Sequence, residues 1–229
     1  MNDIKHFILF LFLLLATNSN AHGSFSFSSK DKFDLIENNI DTTKLKFIKT
    51  IKGTCYNKES SMIQLYNSLR DKAFYLGANS YKFKNKSIID SNNTIEIYID
   101  TYWISDSLKK INDSYHEKNA IYIFGSDLSS KSITFFSFNN IKMALLSGSY
   151  FKYVGKIGDK VNINKGGILG STYTINYKED RSSIFLTFKG LQFSDATYPT
   201  MGIGITTGSI LFLDDCMGRF LVLLLKEKI

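Results

Sequence analysis

From Ala120 onward the sequence breaks into short runs rich in aromatic and β-branched residues, divided by Gly, Ser, Asn and Asp. "AIYIFGSD", "SITFFSF", "IKMALLSG", "YFKYVG", "KVNINKGG", "STYTINY" and "SSIFLTFKG" recur about every 8 to 12 residues, the spacing of strands in an all-β sandwich or barrel. Composition agrees: 19 Phe and 13 Tyr stand beside a single Pro, and aromatic side chains favour pleated sheets. "KIGDKV" and "NYKEDRSS" read as hairpin turns. "MGIGITTGSILFLDD" and "RFLVLLLKEK" read as the final strands, the second so apolar that a central position is expected.

The first half reads differently. "KLKFIKTIKG" alternates, with Leu45, Phe47 and Ile51 toward one side, and closes at Gly53. Met62, Leu65, Tyr66, Leu69, Ala73 and Leu76 then recur at spacings of three and four, one face of an amphipathic helix. Asn57 serves as its N-cap, with Glu59 in the first turn, and Gly77 stands where a left-handed C-cap is needed. "NSYKF" and "IEIYIDTYW" alternate again, the latter with Ile95, Ile97 and Ile99 on one face. Lys44 to Trp103 is therefore a β-α-β-β unit. "ISDSLKKINDSYHEKN" reads as a short capped helix or a connector.

The amino-terminal residues resemble an export signal. Lys5 and His6 precede the apolar run "FILFLFLLLA", too short for a membrane span. Ser19 and Ala21 fit a small-x-small cleavage site, so cleavage after Ala21 is expected, with an uncleaved anchor as the alternative. No Cys follows the run, which closes the lipoprotein route. The formal net charge of +7 survives cleavage, because Asp3 and Lys5 leave together. Lys-x-Lys doublets in "KLKFIK" and "YKFKNK" line one face of a strand, either an anion-facing surface or an ordinary solvated face. An exported chain without a binding motif does not point to nucleic acid. The expected organisation is a signal peptide over 1–21, a linker or irregular arm over 22–43, an α+β unit over 44–118 and an all-β domain over 119–229.

Residues 69–83, "LRDKAFYLGANSYKF", carry a family likeness. A helix ending in Lys72, Ala73, Leu76, Gly77, Ala78 and Asn79 before a strand resembles the signalling domain of the Rcs envelope-stress lipoprotein. It also resembles a small family of putative heavy-metal-binding domains. The whole chain resembles exported proteins of Bacteroidetes. These resemblances imply a fold and an envelope location, and no binding residue.

Candidate sites are few. Cys55 and Cys216 are the two Cys of the chain; export permits a disulfide between them, and two separate buried thiols are the other possibility. Cys55 precedes a helix start, which lowers a thiol's pKa, but a thiol hydrolase needs a base, and neither His22 nor His116 is placed beside it by the sequence. Cleavage after Ala21 would make His22 the mature amino terminus, a chelating group that suits Cu(II). A histidine-brace copper oxygenase would need His116 as the further ligand. "GIGITTG", Gly202 to Gly208, lacks the ending of a phosphate loop. Gly166 and Gly167 suggest a bulge or turn. Asp214 and Asp215 point to opposite faces if they lie on a strand and read as a polar turn. Glu96, Asp100, Glu179 and Asp180 read as turn and strand charges. No cofactor and no catalytic set is expected. The reading is a non-enzymatic binding or accessory module of the cell envelope, with an envelope protein or a glycan as partner. A secreted hydrolase or the copper enzyme is the alternative.

Overall fold

The computed structural model describes residues 32–55, 62–89, 94–125, 132–166, 170–188 and 210–228, without the side chains of residues 88 and 89. Among them are thirteen strands and three α-helices in an α+β arrangement of three sheets. The first sheet has the order β1 (Asp34–Leu35), β3 (Ser80–Ile89), β4 (Thr94–Trp103), β2 (Lys46–Cys55). It is antiparallel except where β1 joins β3 in parallel. Helix α1 (Met62–Tyr75) lies on one face and buries Met62, Leu65, Tyr66, Leu69 and Ala73, the period read from the sequence. Gly53 lets α1 approach β2 closely, since a Cβ there would sit 2.6 Å from Leu65 Cδ1. Gly77 ends the helix at φ +84°. Its N–H bonds Phe74 O at 2.9 Å and that of Ala78 bonds Ala73 O at 2.9 Å, so the chain turns at once into β3.

The central sheet has the order β12 (Ile210–Leu213), β11 (Ile184–Phe188), β5 (Ala120–Phe124), β8 (Ser149–Val154), β13 (Lys226–Glu227). It mixes parallel and antiparallel pairs. The outer sheet has the order β10 (Ser171–Asn176), β9 (Lys160–Lys165), β6 (Ile133–Phe138), β7 (Ile141–Leu146), all antiparallel. All five residues of β5 and of β11 are buried, because the central sheet is covered on both faces. That explains why "AIYIF" and "IFLTF" are nearly continuous apolar runs. One set of their side chains, Ile121, Ile123, Ile184, Leu186 and Phe188, meets Phe136, Phe138, Leu145, Val161 and Ile163 of the outer sheet. The other set, Tyr122, Phe124 and Phe185, shares a core with α1 and the first sheet.

The link between these layers overturns one expectation. "RFLVLLLKEK" is no central strand; Asp215–Leu224 is helix α3, followed by the two-residue β13. Asp214 caps it, accepting from Met217 N at 2.9 Å. The run has Val222 as its one β-branched residue among leucines, which are good helix formers. It is apolar around most of its girth because Cys216, Met217, Phe220, Leu221 and Leu224 all enter the core shared by α1 and the central sheet. A Cβ on Gly218 would lie 2.1 Å from Phe185 Cγ, so only glycine lets α3 rest on β11. Residues 119–229 are thus not all-β.

Other corrections follow from the same packing. Within the expected linker 22–43, residues 22–31 lie outside the described residues, while Phe33 and Ile36 are buried and Asp34–Leu35 is a strand. Phe33 stacks on Tyr81 with ring centroids 4.7 Å apart. Residues 33–229 form one unit, with a core crossing the boundary expected near residue 118. Strand β2 continues past Gly53 to Cys55, and a register shift after Phe47 turns Ile51 rather than Phe47 inward. "KIGDKV" joins β8 to β9 and "NYKEDRSS" joins β10 to β11. Both connections pass between the central and outer sheets and are not hairpins. A hairpin does join β6 to β7, with Asn139 and Asn140 at φ +48° and +66°, the left-handed pair a two-residue turn requires.

Candidate functional site

Two places concentrate polar chemistry. The first is a charged cluster between the segment after β1, helix α2 (Asp106–Ser114) and α3. Ser105 caps α2 by accepting from Leu108 N, and buried Asn112 looks back toward β1. Its Oδ1 accepts from Glu37 N at 2.8 Å and its Nδ2 donates to Leu35 O at 2.8 Å. One turn on, His116 places Nε2 at 3.6 Å from Glu37 Oε1. Its Nδ1 lies 3.6 Å from Asp113 Oδ1 and 3.9 Å from Asp215 Oδ2. Arg219 grips Asp215 with Nε and Nη2 at 2.9 and 3.2 Å, an i,i+4 pair on α3. Its Nη1 stands 3.8 Å from Glu37, and its guanidinium lies over the Phe185 ring. Burial raises the Glu37 carboxyl above its ordinary range, against the pull of Arg219 and Lys82.

This cluster joins three elements, and the thiol nearest to it is not an activated one. Cys216 Sγ donates to Asp34 Oδ1 at 3.4 Å. Burial first, then the charges of Asp34 and Asp214, push that thiol far up, the opposite of an activated cysteine. Cys55 ends β2 inside the core rather than in a loop. Cys55 and Cys216 are both buried thiols rather than a disulfide. His22 lies outside the described residues, so the structure does not bring it to His116. Among the described residues no three His, Cys, Asp or Glu side chains are placed to hold a metal ion.

The remaining sequence candidates have structural places. Asp214 and Asp215 form the cap and first turn of α3 instead of a polar turn before a strand. Gly202 to Gly208 and Gly167 lie outside the described residues, and Gly166 follows β9 at φ +94°. Asp100 accepts from Thr50 and pairs with Lys84 at 3.3 Å, and Glu96 pairs with Lys52. Two of the lysines in the first sheet are therefore neutralised on the spot. Asp180 accepts from Asn119 Nδ2 at 2.7 Å.

The second place is the solvent side of the outer sheet. Alternation sends Phe136, Phe138, Leu145, Val161, Ile163 and Ile175 inward. It leaves Ile133, Phe135, Leu146 and Lys142 outward on β6 and β7, and Asn162, Asn164, Thr172 and Thr174 outward on β9 and β10. Phe135 is 63% and Leu146 64% exposed. Cross-strand pairing sets the polar residues in ladders: Asn164 Nδ2 donates to Thr172 Oγ1 at 2.7 Å and Thr174 Oγ1 to Asn162 Oδ1 at 2.8 Å. Pairing also aligns Lys142, Ser137, Asn164 and Thr172 in one row across the four strands, about 14 Å from end to end at the usual strand spacing. "KVNINK" and "STYTIN" contain the signal, polar residues at every second position. The bulge or turn expected at Gly166 and Gly167 lies between these two strands in sequence; their register, which builds the surface, is what sequence reading missed. No protein-family model, curated protein or solved structure matches the chain.

Proposed function

We propose that this chain is an exported, non-enzymatic protein of a bacterial envelope, acting as a binding or accessory module through the outer face of its outer sheet. The observation that carries this reading is the exposed group Ile133, Phe135 and Leu146 beside a polar ladder on a sheet whose opposite side sends Phe136, Phe138, Leu145, Val161 and Ile163 into the core. A contiguous apolar group rimmed by polar residues is the signature of an interaction surface. The sheet's rigidity suits it to hold such a surface without reorganisation. Export is supported by the charged-apolar-small pattern of residues 1–21. Among the described residues no helix is long and apolar enough to cross a membrane.

The test uses the full chain in its native cell. Cell fractionation and amino-terminal sequencing should give an envelope protein beginning at His22. A photo-reactive residue replacing Phe135 should cross-link to an envelope component that the same residue at Lys49, on the first sheet, does not reach. Identical cross-linking from both positions, or a cytoplasmic protein beginning at Met1, would sink the proposal.

A further inference from the structure

The four strands of the outer sheet, "ITFFSF", "IKMALL", "KVNINK" and "STYTIN", contain no Asp and no Glu. Their charged residues are Lys142, Lys160 and Lys165. Lys165 reaches Phe135 O at 2.6 Å and lies over the Phe188 ring, on the packed side. Lys142 and Lys160 are exposed. Neither makes an ion pair among the described residues, in contrast to Lys52 and Lys84 of the first sheet, which meet Glu96 and Asp100. Asp159 adjoins Lys160 in sequence but is turned away, accepting from Tyr153 Oη and from Lys156 N, both at 2.7 Å. Among the described residues, the four strands therefore carry positive charge with no acidic residue of their own.

Between the lysines stand amides and hydroxyls. Asn162, Asn164 and Thr172 combine donor and acceptor groups, as a ligand covered in hydroxyl groups requires, while the Thr174 O–H is given to Asn162 Oδ1. Phe135 occupies the next row, with an aromatic ring free to cover the apolar face of a ring-shaped ligand.

Resting on the reading of this face as the binding surface, we propose that its ligand is an anionic polysaccharide. Sugar rings lie on Phe135, hydroxyls meet the Asn–Thr ladders, and carboxylate, sulfate or phosphate groups meet Lys142 and Lys160. A protein partner would want a larger apolar centre; here the polar ladders cover half of the face.

The experiment is isothermal titration of the full mature chain with three probes: polygalacturonate, dextran sulfate and fully methyl-esterified pectin. At least one acidic polymer should bind, more weakly as salt rises, and the esterified one should not. Phe135→Ser and the double variant Lys142→Gln/Lys160→Gln should each weaken binding at least tenfold. All three positions are solvent-exposed, so the urea midpoint should not move. A Lys46→Gln/Lys49→Gln control, which removes equal charge from the first sheet, should bind as the parent does. Equal loss in the control, or indifference to Phe135→Ser, would reduce the effect to net charge and overturn the proposal. Absence of binding to every probe, with Phe135-specific cross-linking to an envelope protein, would overturn the glycan while leaving the surface standing. Absence of both would overturn the surface as well.

Discussion

Replacing Asn112 by Ala isolates the joint between α2 and the segment after β1. Asn112 is 1% exposed, and its amide satisfies two backbone groups, Glu37 N–H and Leu35 C=O, each at 2.8 Å. A methyl group cannot take either role. Each backbone group left without its partner in a water-poor site costs about 1–3 kcal/mol, so the expected loss is about 3 kcal/mol. For a chain of this size that is a fall of roughly 6–12 °C in Tm, or about 1 M in urea midpoint at a slope near 3 kcal/mol/M. Asn112→Asp gives a sharper comparison. It keeps an acceptor for Glu37 N–H but turns a carboxylate toward Leu35 O, close to Glu37 and Asp113. It should cost at least as much as Ala at pH 7 and recover partly on acidification. Urea unfolding followed by tryptophan fluorescence reads both, since Trp103 stands just before α2. A loss below about 1 kcal/mol for Asn112→Ala would show that water or another group replaces the amide. The joint would then not depend on it.

Gly218→Ala should destabilise by about 1–3 kcal/mol, because the new methyl would sit 2.1 Å from Phe185 Cγ and that ring is stacked on Tyr122. An unchanged urea midpoint would mean that α3 can lift from β11. Cys55 and Cys216 should resist an aromatic disulfide reagent at pH 8 in the native protein, then give two thiols on unfolding without reductant; none would reveal a disulfide. The pH dependence has a definite sign. Burial raises the Glu37 carboxyl above its unfolded value of 4.5, so the folded state holds that proton more tightly. The resulting stability is complete below pH 4.5 and is lost as pH rises through the folded value. Glu37→Gln should therefore flatten the stability profile above pH 4.5, and an unaltered profile would refute the assignment.

The β-α-β-β unit was legible because its signals are local: the three-and-four spacing of α1, the stop at Gly77 and the alternation of Ile95, Ile97 and Ile99. The stacked sheets were legible as a class from strand spacing alone. What escaped was whatever depended on which layer a segment meets. Leu221 and Leu224 belong to a strand or a helix by periodicity alike, and the deciding marks were the Asp214 cap and the Asp215–Arg219 pair. "KIGDKV" is a turn in either reading; whether its strands pair with each other is a tertiary fact. The outer-face ladder needed the register of β9 on β10, which no single strand carries.

Helix α3 has a kinetic consequence. It fills the space between α1 and the central sheet, and Cys216 meets Asp34 across 182 residues of sequence. Contacts of that separation form late, because the chain between them must first be ordered. Until residues 215–224 dock, the edges of Tyr66 and Tyr81 that meet Phe220 and the Tyr122–Phe185 face of the central sheet lack the helix that covers them. A nascent chain at that stage exposes two sticky surfaces at once. Completion of the fold and disappearance of the aggregation hazard are then a single event.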